Sequence, residues 1–184
     1  IVSFSQDDSI QKKIDSLIKV TKSKIAAEDK IEAYGQWLSL SLEFDSSESQ
    51  KIIDELYALS KSNSCITCET MADFSQGNYN SYLSKNKEAI QNFEDAASKS
   101  LKIKDYDFYQ YSKTYKIQTL LNINEIEKAE EELKSYFKIT KQLRLFAEAN
   151  NLTNQPLRYY QCVKEHTQQV EYYQARYNVG LKLD

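Results

Sequence analysis

The chain contains one proline and three glycines in 184 residues. Average usage would supply about twenty-two of the two types together. So few turn formers argue for few tight hairpins and few backbone positions with φ above zero. They also argue against all-β sandwiches, barrels and glycine-loop nucleotide folds. There is a single histidine. A Ser-His-Asp or Cys-His site would have to use His166, and no nucleophile-elbow glycine motif accompanies it. No phosphate-binding glycine loop, H-E-x-x-H or EF-hand loop occurs. No run approaches eighteen consecutive apolar residues, so no transmembrane helix is expected within the chain. The net charge is −3 with both signs interspersed. The strongest basic cluster, Lys99, Lys102 and Lys104, is broken by Asp105 and Asp107. It reads as a solvated helix end, and nucleic acid is not an expected partner.

What is present points to helices. Charged residues make up 28% and hydrophobic residues 41%, which excludes both a disordered chain and a membrane span. Apolar positions recur at three and four. Ile10, Ile14, Leu17, Ile18 and Ile25 mark a first helix. Ile31, Tyr34, Trp37, Leu38, Leu40 and Leu42 mark a second. Ser46 or Ser47 caps a third, carrying Ile52, Ile53, Leu56 and Leu59. A fourth follows Ser62-Asn63-Ser64 and holds Ile66, Met71 and Phe74. A fifth runs from Ala89 through Phe93 to Leu101. A sixth follows Asp105 or Asp107 and includes Phe108, Tyr111, Tyr115, Ile117 and Leu120. A seventh holds Ile126, Ala129, Leu133, Tyr136 and Ile139. Asn154 and Pro156 form a helix-start signal, and an eighth helix is expected over residues 155–180. Its 3-4 seam of Val163, Val170, Tyr173 and Tyr177 includes His166.

Short helices with brief links suggest a repeat. Ala89, Phe93 and Ala96 in KEAIQNFEDAASKS are followed forty residues later by Ala129, Leu133 and Tyr136. Gly77 lies twelve residues before Ala89. This pattern resembles the tetratricopeptide repeat, whose second helix has small, aromatic and small residues at this spacing and whose first helix carries a glycine. The resemblance covers about residues 70–143; the family's tryptophan, leucine and proline positions are mostly unmatched, and the spacing is nearer forty than thirty-four. It implies an all-α, right-handed array of about four helix-turn-helix pairs, forming one domain over residues 10–184 behind a tail at 1–9. Ala89, Phe93, Ala96, Ala129 and Leu133 are expected to be buried, with Phe93→Ala costing about 3–5 kcal/mol.

In such stacks the first helices line the concave face. On this register Met71, Phe74, Asn78, Tyr111, Thr114 and Gln118 would face a ligand. That lining is aromatic and neutral, without the lysines that clamp a peptide carboxylate. The fourteen tyrosines are read mainly as packing, with Tyr173 and Tyr177 as contacts to a second chain.

Cys65-Ile66-Thr67-Cys68 is a C-x-x-C motif with several readings. No βαβ pattern surrounds it, which disfavours a thioredoxin site. A disulfide suits an exported chain, although two cysteines three apart on a helix make a strained pair. Cys65, Cys68, Cys162 and His166 form a chemically legitimate zinc set, but nothing forces the two pairs together. The favoured reading is small buried residues between helices, with no metal, no cofactor and no redox cycle. Glu130-Glu131-Glu132 reads as a solvated helix face with i,i+4 pairs.

The opening FSQDDSIQKKIDSLI and the ending YYQARYNVGLKLD are similar to the ends of extracytoplasmic tetratricopeptide sensor regions of bacterial histidine kinases, diguanylate cyclases and helix-turn-helix regulators. Residues 1–6 read like the tail of a secretory signal. The expectation is therefore a non-enzymatic sensor or protein-interaction domain, extracytoplasmic, binding a peptide, protein or partner protomer as a homodimer. Any membrane link would come through segments outside this chain. The alternative is a cytoplasmic scaffold or peptide-pheromone receptor.

Overall fold

A computed structural model describes residues 3–44 and 46–149. The described residues are all-α: α1 (Ser3–Thr21), α2 (Ile31–Phe44), α3 (Ser49–Asn63), α4 (Ile66–Tyr82), α5 (Asn86–Ile103), α6 (Tyr106–Asn122) and α7 (Ile126–Ala149). Short 3₁₀ turns, Glu28–Lys30 and Ser46–Glu48, precede α2 and α3. The chain divides into two compact units, residues 1–112 and 113–184.

Several boundaries differ from the sequence reading. Helix α1 begins at Ser3, inside the segment read as a tail, and ends at Thr21. Ile25 is consequently off the helix and exposed. The serines at 46 and 47 lie in the 3₁₀ turn rather than capping α3; Ser49 starts that helix, and its hydroxyl meets Ser41 Oγ at 2.6 Å. Helix α7 continues ten residues past Ile139, to Ala149.

The turns carry a regularity that the sequence reading did not describe. Four described residues that are not glycine have φ near +60°: Ser64, Ser84, Lys104 and Asn124. Each lies twenty residues from the last, one at each junction from α3 to α7. Scarcity of glycine did not remove left-handed positions; it placed polar residues in them, which tolerate that region at a cost of roughly 1–2 kcal/mol each. The hydrogen bonding repeats with the same period. The amides of Cys65, Lys85, Asp105 and Glu125 donate to the carbonyls of Ser60, Asn80, Ser100 and Leu120 at 3.0, 2.8, 2.9 and 2.9 Å. These bonds satisfy the carbonyls a helix leaves unpaired at its end. The same four residues then start the next helix. Their carbonyls accept from Glu69, Ala89, Tyr109 and Ala129 at 3.0–3.1 Å. A helix and its turn thus form a twenty-residue unit, half the forty-residue spacing seen in the sequence.

In the first unit the neighbouring pairs are α1·α2, α2·α3, α3·α4 and α4·α5, with α2 also against α4. Tyr34, Trp37 and Leu38 of α2 meet Ile52, Ile53 and Leu56 of α3 and Ala72 of α4. Ile14, Leu17 and Ile18 of α1 close over them. Between α4 and α5 the contact is made close by size. An added Cβ on Gly77 would lie 2.6 Å from Phe93 Cε1, so only glycine admits the ring there. Ala89, Phe93 and Ala96 are fully buried, as the repeat pattern required. In the second unit Ile117, Leu120, Ala129, Leu133 and Tyr136 are buried.

Candidate functional site

The predicted ligand face starts on α4. Residues three and four apart share a helix face, so Met71, Phe74 and Asn78 stand in one row; all three are half-buried. Phe74 sits in a row of rings. Its centroid lies 5.7 Å from Phe93 and 5.7 Å from Phe108, and Phe108 meets Tyr111 edge-on at 6.5 Å. The row starts at fully buried Phe93 and ends at Tyr111, which is 52% exposed. Such pairs favour tilted and edge-on geometry, and the observed interplanar angles of 54°, 85° and 79° fit it. The structure therefore joins Phe74 to Tyr111 through Phe108.

Met71 is used differently. A Cβ on Gly35 would lie 2.5 Å from Met71 Cε, so this thioether packs on α2. Thr114 and Gln118 are half-buried in the second unit, and Gln118 donates to Asn122 Oδ1 at 2.8 Å. Tyr173, Tyr177, Cys162 and His166 lie outside the described residues, as does the expected helix at 155–180.

Cys65 and Cys68 are buried, as the favoured reading had it, and they are joined by a disulfide, the reading that the sequence had left open. The objection to a bonded pair assumed that both lie on a helix. Cys65 instead occupies the N-cap of α4 with extended backbone (φ −88°, ψ 98°), bringing the Cα atoms to 5.3 Å. That separation is ordinary for a disulfide. Cys65 Sγ also accepts the Cys68 amide at 3.1 Å. Both cysteines are buried beside Ala27, with Ile31 and Leu59 packed against them. Bonded to each other, Cys65 and Cys68 offer no thiolates to the four-ligand zinc set, whose other two members lie outside the described residues. Among the described residues no group of three or more His, Cys, Asp or Glu side chains is placed to hold a metal.

The sequence reading missed a polar seam between α3, α4 and α5. Its charged half holds Tyr57, Glu69, Asp73 and Lys99. Lys99 Nζ lies 2.6 Å from both Glu69 Oε1 and Asp73 Oδ2, and Tyr57 donates to Asp73 Oδ1 at 2.8 Å. Lys99 is thus no solvated helix end. Burial pushes the Asp73 carboxyl up; Lys99 and Tyr57 oppose that shift, and nearby Asp95 adds to it. Burial alone would lower Lys99, but its bonds to Asp73 and Glu69 outweigh this and hold it above its usual value. Burial and the Asp73 charge drive the Tyr57 hydroxyl well above the normal phenol range. The shifts of Lys99 and Tyr57 lead away from neutral pH.

The seam's other half is built of carboxamides. Gln50 and Gln76 bond reciprocally at 3.0 and 3.3 Å; Gln76 also donates to Asn80 Oδ1 at 3.3 Å, and Asn80 to Asn92 Oδ1 at 2.9 Å.

In the second unit Glu132 bonds both Lys113, at 2.6 Å, and Lys116. Of the acidic run, Glu130 pairs with Lys134 at 2.7 Å in the expected i,i+4 manner. Glu132 faces α6 instead of solvent.

No protein-family model matches this chain, and no curated protein or solved structure shows significant similarity to it. Among the described residues no helix is long and apolar enough to cross a membrane.

Proposed function

We propose that the chain is a non-enzymatic sensor and protein-interaction domain of a bacterial signalling protein. Its helices form a right-handed array of pairs resembling tetratricopeptide repeats. The twenty-residue recurrence of turn and cap, together with the close fit of Gly77 to Phe93, supports the array. The observation that carries the binding role is Tyr111. Large tyrosine surface is an effective recognition element when it is held rigidly. Here the ring rests on Phe108 and, through Phe74, on buried Phe93, yet half of it meets solvent. The ligand on this reading is a peptide or a protein segment offering apolar side chains. The Cys65–Cys68 disulfide supports an extracytoplasmic setting, where such bonds persist.

Selection of a random peptide library against the folded chain tests the reading. Enriched peptides should lose binding on Tyr111→Ser at unchanged stability. Tyr82→Ser, at the equally exposed end of α4, should leave binding intact. No enrichment, or equal losses from both substitutions, would count against a ligand face at Tyr111.

A further inference from the structure

We propose that the Cys65–Cys68 disulfide is a redox-operated clasp on the start of α4. A dithiol reductant opens it in the folded chain, and opening loosens the first turn of the helix.

Position within the repeat is the first argument. At three of the four periodic turns, the residue that starts the helix is tied to the residue three positions on. Asp105 Oδ1 accepts the Phe108 amide at 3.1 Å, and Glu125 pairs with Lys128 at 3.0 Å. At the α3–α4 turn the same tie is covalent, between Cys65 and Cys68. It is the only one of the three that electrons can remove. The sulfur that would be released also serves as the cap, since Cys65 Sγ accepts the Cys68 amide. The next residue carries the effect inward. The Glu69 amide donates to the Cys65 carbonyl at 3.1 Å, and its carboxylate holds Lys99, which holds Asp73. Loosening this turn therefore acts on the ion network between α4 and α5.

The chemistry balances with a dithiol as the electron donor. Both cysteines are buried, at 4% and 0% exposure, so the dithiol's thiolate reaches Cys65 Sγ through local opening of the α3–α4 turn. A mixed disulfide forms at Cys65, and the Cys65–Cys68 bond breaks with Cys68 leaving as a thiolate. That thiolate lies in the first turn of α4, where unpaired amides and the positive helix end stabilise it. The reagent's second thiol then attacks its own sulfur in the mixed disulfide. A cyclic disulfide departs, Cys65 is released as a thiolate, and both cysteines take up protons. Two electrons have passed to the protein. The two sulfurs, no longer bonded, must move apart to van der Waals contact. They do so in a site packed by Ala27, Ile31 and Leu59, so the start of α2 and the end of α3 adjust as well.

The test uses the full chain with Cys162→Ser, so that only this pair is counted. Dithiothreitol added to folded protein should raise the free thiols from zero to two per chain, with the helical circular dichroism retained. Hydrogen exchange at the Cys68, Glu69 and Thr70 amides should accelerate at least about fivefold, the loss expected from a removed cap. The Ala96 and Ala97 amides should not change. Cys65→Ala/Cys68→Ala should exchange fast with or without reductant. Cys65→Ser/Cys68→Ala, which restores a capping oxygen without the bond, should exchange slowly in both conditions. Thiols that appear only when the chain unfolds, or that appear with exchange at residues 68–70 unchanged, would overturn the proposal.

Discussion

The contact between Gly77 and Phe93 yields a prediction whose sign tests the packing. Glycine inside an exposed helix is about 1 kcal/mol less favourable than alanine, so propensity alone predicts that Gly77→Ala stabilises. The structure predicts the reverse. The added Cβ would lie 2.6, 2.7 and 3.0 Å from Phe93 Cε1, Cδ1 and Cζ. Relaxed carbon contacts lie near 3.5–4.0 Å, so the overlap with the ring is about 1 Å. The ring has little room to move, being fully buried and backed by Phe74 at 5.7 Å. Overpacking of this kind costs about 1–3 kcal/mol, and three short contacts on a rigid ring place it near the top of that range. Net of propensity, Gly77→Ala should destabilise by about 1–2 kcal/mol. The assay is equilibrium urea unfolding followed by far-ultraviolet circular dichroism.

A double-mutant cycle isolates the contact. In a Phe93→Leu background the clash is relieved, and Gly77→Ala should become neutral or stabilising. Gly35→Ala is the internal control. Its added Cβ meets Met71 Cε at 2.5 Å, but that atom ends a flexible thioether that can rotate away. Gly35→Ala should therefore be neutral or stabilising by up to about 1 kcal/mol. If Gly77→Ala stabilises the native chain, and its effect adds simply to that of Phe93→Leu, the packing of α4 on α5 described here is wrong.

Other outcomes follow from the same structure. Lys99→Met should cost about 3 kcal/mol, because buried Asp73 loses its counter-charge, whereas Glu69→Gln at the half-exposed partner should cost under about 1 kcal/mol in urea unfolding. For Asp73, burial raises the folded pKa, so the native chain holds its proton to higher pH than the unfolded chain. Its contribution to stability is largest in acid and declines as pH rises from about 3.9 through the raised folded value; Asp73→Asn should remove that slope from a stability–pH curve, and carboxyl NMR should place the Asp73 midpoint above the ordinary value. Replacing left-handed Lys104 by glycine should be neutral or stabilising by up to about 1 kcal/mol, while Lys104→Val should lower stability by about 1–2 kcal/mol; thermal melts of the two variants should diverge in sign. Symmetric cysteine crosslinks at positions 173 and 177 in solution would support the second-chain contact expected there, and their absence would count against it.

The apolar part of the fold was readable in the sequence because burial writes a period into it. Ile52, Ile53 and Leu56, or Ala89, Phe93 and Ala96, can sit on one helix face only at 3.6 residues per turn. The positions that size alone dictates were readable too, as Gly77 opposite Phe93 shows. The turns were not, because Ser64, Ser84, Lys104 and Asn124 share no residue type; what they share is a conformation imposed by the cap. The disulfide was left open among several readings for a related reason. Spacing places Cys65 and Cys68 three apart, but only backbone geometry shows that Cys65 stands outside the helix.

The polar seam was missed because polarity at 3-4 spacing looks the same whether water or another helix covers it. Glu69, Asp73, Gln76 and Asn80 stand four, three and four apart on α4, a spacing that would have been taken as a core seam had the residues been apolar. The available signal was the agreement between helices. Gln50 and Tyr57 on α3, Glu69 and Gln76 as well as Asp73 and Asn80 on α4, and Asn92 and Lys99 on α5 are all pairs seven apart. Because neighbouring helices run in opposite directions, amides meet amides at one end, and at the other the Tyr57 hydroxyl and the Lys99 ammonium meet the Asp73 carboxylate. Sliding α5 by one turn would set the Lys99 ammonium away from Asp73 and leave a buried carboxylate without its partner, a change worth several kcal/mol. Apolar packing of Ala89, Phe93 and Ala96 brings α5 to α4, and the fit of the Phe93 ring against Gly77 already favours one register. The bonds of Asn80 to Asn92 and of Lys99 to Asp73 form only in the observed register, and so help to fix Phe93 of α5 against Phe74 of α4.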